Sequence, residues 1–434
     1  MSKFTDFLEQ KVSNPMARLA EQRHLLAIRD GVVSALPFII VGSFFLIFAF
    51  PPLPEKWSIT QWLTAHAAEI LIPYRMTMFI MSLYIAFGIG YNLANSYKVD
   101  PLSGGLIAVS ALLLTITPTM VEELGFVMPM QYLGGQGLFV TILVSILSVE
   151  IFRFCKQKNI TIKLPKQVPA SVSRSFEALI PVAIVIVLMS IITVAMGVNL
   201  HAIVQKITSP LVTVGDSLFG VLVPVFLITF FWSFGIHGVS VVGSVARPLW
   251  EMYLAENAEA VAEGASKLPH VAPEPLYQWF IWIGGSGATL GLVIAMLVFA
   301  KSKYMKNLAR TAVVPSIFNI NEPIIFGVPI VLNPTLIIPF IITPIINAII
   351  AYFATSVGLV TPTYVKAPWT LPAPIGAYLA TGGDWRAIVL VVINMTISFL
   401  IYIPFFKMYD KKMLAMESED NQQVELENNT NVQA

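Results

Sequence analysis

The run Phe318-Asn319-Ile320-Asn321-Glu322-Pro323-Ile324-Ile325-Phe326-Gly327 sets one carboxylate and two carboxamides inside one of the oiliest stretches of a 434-residue chain. An ionised side chain in such surroundings requires partners, water or a ligand. Pro315, Pro323 and Pro329 deny the segment a regular helix, and broken backbone at membrane depth persists only where protein or a water-filled cavity covers it. Glu322, with Asn319 and Asn321 beside it, therefore reads as a polar binding site within a membrane.

Two further constellations can do chemistry in the same half. In Phe234-Gly235-Ile236-His237-Gly238, glycines on either side of His237 permit unusual dihedrals and close approach of backbone or ligand, and the imidazole donates and accepts hydrogen bonds near neutral pH. Helix packing is the competing use; Glu322 in the same half of the chain favours ligand contact. The stretch from Thr361 to Pro374 is too proline-rich for a regular span and reads as re-entrant or surface-lying. Its Trp369 suits stacking on a pyranose ring, against the commoner use of tryptophan as an anchor at the membrane interface.

Other chemistry is poorly supported. His24, His66, His201 and His270 fall in loops or at span boundaries without metal-ligand spacing, so no metal is expected. Gly134-Gly135-Gln136-Gly137 and Gly284-Gly285-Ser286-Gly287 lack the Lys-Ser or Lys-Thr and the preceding strand of a phosphate loop, and close helix packing explains them better. No cofactor is implied. A single cysteine, Cys155, rules out an internal disulfide, and a net charge of +1 without a basic stripe argues against nucleic acid.

The elements that must position these groups are membrane helices. The chain is 56% hydrophobic and 12% charged, with a mean hydropathy of +0.76, which places it far from soluble globular composition. Its fold class is an all-α polytopic membrane protein with about ten transmembrane helices and re-entrant hairpin segments. Lys and Arg positions set the orientation. Lys11, Arg18, Arg23 and Arg29 precede the first span; the basic connector from Lys156 to Arg174 and the cluster Lys301 to Arg310 fall on the same side only if Gly238 to Ala255 crosses as a helix of its own. Both termini are then cytoplasmic. Four regions result: a cytoplasmic amphipathic segment at 1–27, N-terminal spans with the basic connector at 28–174, the spans and hairpins bearing the polar residues at 175–412, and a disordered tail at 413–434. Met1 to Gln22 is too polar for a cleavable signal peptide.

The Asn-Ile-Asn-Glu-Pro run from Asn319 to Pro323, the Gly-Ile-His-Gly around His237 and the pattern from Leu19 to Gly31 resemble the IIC membrane components of the bacterial sugar phosphotransferase system, in the lactose/cellobiose/diacetylchitobiose branch. The resemblance covers nearly the whole chain. It implies a homodimer in the bacterial plasma membrane, in contact with lipid, each protomer pairing a scaffold of dimerisation spans (28–174) with a transport domain (175–412). It implies import of a β-linked disaccharide, cellobiose or diacetylchitobiose ahead of lactose, with phosphorylation of a terminal hydroxymethyl group by a phosphocysteine on a separate cytoplasmic IIB protein. The chain would thus be the transporter subunit of a split phosphotransferase. Carried over by motif, Glu322 and His237 are the catalytic pair at the reacting hydroxyl, and Asn319, Asn321 and Trp369 complete the substrate site. A proton-coupled sugar symporter is the alternative, because an intramembrane carboxylate on a broken helix serves both.

Overall fold

The structure, a computed structural model, describes residues 21–432 apart from Lys166 and Pro329. Expectations resting on residues 1–20, on Lys166 or on Pro329 lie outside the described residues. The first half contains α1 (Arg23–Ala49), α2 (Met81–Ser96), α3 (Pro101–Leu114), α4 (Leu138–Gln157) and α5 (Ala170–Ser190). The second half contains α6 (Leu200–Gly215), α7 (Leu218–Ser233), α8 (Gly238–Ala262), α9 (Leu290–Phe299), α10 (Lys303–Ile317), α11 (Glu322–Gly327), α12 (Pro334–Ser356), α13 (Ala373–Ala380) and α14 (Trp385–Val432). A short two-stranded ribbon accompanies the helices of this all-α fold: β1 (Thr119–Val121) pairs antiparallel with β2 (Gly125–Val127).

Among the described residues, six helical stretches are long and apolar enough to cross a bilayer, and α6 with α7, bent by 77°, makes a seventh candidate. The ten crossings expected from the sequence exceed this count by three segments of particular character. Helices α3 and α9 are apolar but short. Helix α8 has the length, at 25 residues, but carries Arg247, Glu251, Glu256, Asn257 and Glu259. Glu251 and Asn257 are fully buried, so the polar character of α8 is spent on contacts inside the protein, as hydrocarbon surroundings demand.

Helices of the first half approach closely through small residues: a Cβ added to Gly90 of α2 would lie 2.4 Å from the carbonyl oxygen of Gly104 in α3. Close backbone approach substitutes for hydrophobic driving force where lipid competes with side chains. The second half has its own core, from Val221 of α7 to Tyr409 of α14. A third cluster joins the halves, packing Val32, Ile39 and Leu46 of α1 against Leu249 to Ala258 of α8 and against Tyr364 and Val365.

Two expectations are corrected here. After α8 a short helix, Glu274–Leu276, leads into a π-turn, Tyr277–Ile281, and then into a loop before α9. Gly284-Gly285-Ser286-Gly287 forms that loop rather than a helix-packing face, because Gly284, Gly285 and Gly287 take φ of 81°, 97° and 84°, which helical residues cannot adopt. The tail expected to be disordered from 413 continues α14 as helix to Val432. Its first turns are held by Glu417, which accepts hydrogen bonds from Ser302 Oγ at 2.6 Å and from the amides of Tyr304 at 2.9 Å and Lys303 at 3.1 Å. That carboxylate caps the start of α10.

Candidate substrate site

The Asn-Glu-Pro segment is a turn between α10 and α11, and its two asparagines bind protein rather than lying open. Asn319 takes φ of 62°, a left-handed position that asparagine tolerates better than most residues. Its Oδ1 accepts from the Gly284 amide at 3.0 Å, and its Nδ2 donates to the carbonyls of Trp369 and Leu371, each at 2.9 Å. One buried carboxamide thus ties the glycine loop to the proline-rich segment. Asn321 donates through Nδ2 to the Ser286 carbonyl at 2.7 Å. A Cβ on Gly285 would lie 2.4 Å from Asn321 Cγ, so glycine is required there both by space and by φ.

Glu322 opens α11, with Pro323 following in the first turn where its missing N–H costs nothing. Unlike its asparagine neighbours, it makes no hydrogen bond or ion pair among the described residues, and its side chain opens onto a cavity of about 360 Å³. His237 lines the same cavity and is also the N-cap of α8: its Nδ1 accepts from the Ser240 amide at 3.2 Å, with Ser240 Oγ at 2.9 Å. An Nδ1 that accepts from a backbone amide leaves the proton of neutral imidazole on Nε2, which is then a donor. The adjoining Gly238 has no room for a side chain, since a Cβ would lie 2.1 Å from the Ile228 carbonyl oxygen.

All five residues singled out in the sequence, Asn319, Asn321, Glu322, His237 and Trp369, line this one cavity. They do not contribute alike: Asn319 is saturated by backbone, while Glu322 is open. Trp369, 53% exposed, is held through its own carbonyl by Asn319. Trp232 packs on the His237 ring with centroids 4.6 Å apart. Its indole N–H and that of Trp282 are buried without partners among the described residues, and both residues line the cavity. Val33, Leu36 and Ile40 of α1 form an apolar wall contributed by the first half.

Sequence reasoning missed the other polar group of this cavity. Lys366 Nζ, buried, bonds to Glu251 Oε1 at 2.5 Å and Glu274 Oε2 at 2.7 Å, and its backbone amide donates to Ser43 Oγ of α1 at 3.0 Å. Arg247, Gln278 and Ser286 also line the cavity. The available signal was the set of charges Arg247, Glu251 and Glu274 in segments that must cross or enter the membrane, each a functional-site indication by default. Two cations, Arg247 and Lys366, and two carboxylates, Glu274 and Glu322, face the cavity. Glu251, bonded to Lys366, adds a third carboxylate just behind the wall.

The remaining histidines have structural partners. His201 is buried, with Nε2 2.8 Å from Thr115 Oγ1 and its ring stacked on Tyr132. His24 meets Glu150 at 2.9 Å. His270, in the loop after α8, has Nδ1 3.3 Å from Asp216 and Nε2 2.5 Å from Glu256. Burial opposes charge on its ring, but the two carboxylates outweigh it and hold His270 protonated, with its pKa raised to about 9. The carboxylates sit on opposite ring nitrogens and do not converge, and no metal-holding group of His, Cys, Asp or Glu occurs among the described residues.

Known proteins supply an independent comparison. Residues 29–344 match the family model for the EIIC component of the phosphotransferase system. A cellobiose-specific EIIC component from Geobacillus stearothermophilus is 43% identical over 97% of this chain and 97% of its own length. A lichenan permease IIC component from Bacillus subtilis (strain 168) is 41% identical over 96% of each. The crystal structure of ChbC, the IIC component of an N,N'-diacetylchitobiose-specific phosphotransferase system, superposes with a TM-score of 0.88 at 38% identity, covering 95% of this chain and 99% of that one.

Proposed function

The chain belongs to the EIIC family of the sugar phosphotransferase system, and from that premise we propose that it imports a β-linked disaccharide and presents its terminal hydroxyl to a phosphorylated IIB partner. It is a sugar permease of that system, embedded in the membrane by multiple passes, and EIIC components work with a sugar and a IIB domain or protein. The family decides between permease and symporter in favour of the permease. Cellobiose or diacetylchitobiose is the proposed substrate type, supported by the relatives' specificities and by a cavity lined by Trp232, Trp282 and Trp369.

The observation that carries the reaction is the pair Glu322 and His237, which face one cavity with an open acceptor and an open donor. In the proposed step His237 Nε2–H donates to the sugar hydroxyl oxygen and holds it, while Glu322 accepts the hydroxyl proton. The freed oxygen bonds to phosphorus as the bond from phosphorus to the IIB cysteine sulfur breaks, and the thiolate leaves. Asn321 bonds ring hydroxyls through its remaining carboxamide oxygen, Asn319 holds Trp369 in place, and Trp369 packs the ring. Cys155 is buried in α4 and is not the phosphorylated thiol of the proposed step.

The same reading assigns 28–174 to scaffold and dimerisation and 175–412 to transport, in a homodimer in contact with lipid with both termini cytoplasmic. Cysteines placed at Glu259 and Lys303 in a Cys155→Ser background label from opposite sides of the membrane on this reading; labelling from one side overturns the orientation. The reaction itself is tested in proteoliposomes supplied with phosphorylated IIB, where cellobiose or diacetylchitobiose should appear inside as its phosphate. Entry of unmodified sugar driven by a proton gradient would refute it.

A further inference from the structure

On the other side of α7 and α8 from the substrate cavity lies a second hollow, of about 610 Å³, that the proposed reaction does not use. It runs between α7 and α8, with Leu211 and Val214 of α6 at one end and Phe139 of α4 at its side. No charged residue, hydroxyl or carboxamide lines it. Its floor is buried at Phe231, Val241, Leu249 and Trp250, while its rim is exposed at Phe219, Val223 and Val245, so it is a groove open at the surface. The rim continues along α7 as the exposed stripe Phe219, Val223 and Phe226, the i, i+4, i+7 spacing of one helix face. In a chain embedded in the membrane by multiple passes, a wholly apolar face on a candidate span meets lipid tails. The groove is a recess in that face.

We propose that this groove is a binding site for one acyl chain of a bilayer phospholipid, which packs against the back of the wall that carries His237. The dimensions agree. Lining residues on α7 run from Phe219 to Phe231, roughly 18 Å at 1.5 Å per residue, and one leaflet of a hydrocarbon core about 30 Å thick is roughly 15 Å deep. A helix of a second copy, about 10–12 Å across with its side chains, would take up roughly 1400 Å³ or more over the same length, more than twice the volume of the groove. Water finds nothing to bond to there, and an empty groove forfeits the dispersion contacts of its lining. Behind the floor lies the sugar cavity: Phe231 adjoins Trp232, whose ring packs on His237, and Trp250 packs on Trp282 with centroids 6.1 Å apart. Trp232 and Trp282 both line that cavity, so α7 and α8 form one wall with sugar chemistry on one side and lipid on the other.

The test uses the full chain in vesicles of phosphatidylcholine and phosphatidylglycerol doped with phosphatidylcholine bearing a diazirine either early in one acyl chain or at its end. Illumination joins the tail to whatever it touches, and mass spectrometry locates the adducts. Adducts are expected on the buried floor as well as at exposed Phe226, and the two probes should mark opposite ends of the groove, one around Phe219 and Leu249 and the other around Phe231 and Val241. Val223→Trp combined with Ala246→Phe fills the groove from its side and should lower floor adducts about tenfold, what two buried methylenes contribute to affinity. Adducts at Phe226 should persist in that variant, which also reports that it is folded and embedded. A wild-type floor without adducts, equal floor labelling in the filled variant, or two probes that mark the same positions would each overturn the site. So would a disulfide joining two protomers through Val245→Cys in a Cys155→Ser background with the floor unlabelled, which would assign the groove to a second copy of the chain.

Discussion

Two groups of charge face the same cavity and are built in opposite ways. Around Lys366 the charges are closed: its ammonium bonds to both Glu251 and Glu274, and Glu251 is fully buried. Among the described residues the Glu322 carboxylate has no partner, and His237, which does face the cavity, spends only Nδ1 on them. The same contrast divides the Asn-Glu-Pro motif within itself, since Asn319 is saturated and Glu322 is open. Polar groups in an apolar protein thus do one of two jobs: those satisfied by the fold fix geometry, and those left open await a ligand.

The comparison breaks most visibly if the open group is dispensable. Glu322→Gln keeps size and shape but loses the proton-accepting oxygen, so sugar phosphorylation should fall about 1000-fold with thermal stability unchanged. Vectorial phosphorylation near the wild-type rate in a normally expressed variant would place Glu322 outside the reaction.

The closed group should fail in the opposite sense. Lys366→Met removes the cation that bonds to two buried carboxylates, and its expected effect is on stability, a loss of about 3–5 kcal/mol. Combining it with Glu251→Gln and Glu274→Gln should recover most of that loss in a thermal melt of the detergent-purified protein. If the triple variant melts no higher than Lys366→Met, the ion pairs are not what the lysine supplies.

Asn319→Ala tests whether a saturated residue in a functional motif acts by positioning. Three hydrogen bonds vanish and the Trp369 and Leu371 carbonyls lose their donor, for an expected cost of about 2 kcal/mol. Sugar affinity should weaken while the maximal phosphorylation rate at saturating sugar holds. A fall in rate with affinity preserved would instead put Asn319 at the reacting hydroxyl.

The smallest effect is expected at His270, whose partners Asp216 and Glu256 close it as Glu251 and Glu274 close Lys366. Because its pKa rises from 6.5 to about 9 on folding, its contribution is complete below the unfolded value and is lost as pH climbs through about 9. The melting temperature should therefore decline between pH 7 and pH 10, and His270→Gln should lower it at pH 7 and flatten that decline. An identical slope in the variant would exclude His270 as the titrating group.

Much of this molecule was legible before any coordinate was seen. The apolar runs specify membrane helices because a bilayer permits few other backbones, and the charge balance picked out α8 as a separate helix despite its polar residues. The Asn-Glu-Pro and Gly-Ile-His-Gly runs marked residues that line one cavity because a carboxylate or an imidazole among apolar residues is costly enough to need a reason. The sequence by itself could not show that Asn319 is spent on the backbone, nor that Gly284 to Gly287 is a loop under Asn321 and not a packing face. Nor could it bring Lys366 to Glu251, 115 residues away, or set Arg247 and Gln278 on the wall of the same cavity. Local composition records the cost of placing a polar group in an apolar stretch, but whether that cost is met by protein or by ligand depends on which distant segment folds against it, and only the tertiary structure decides that.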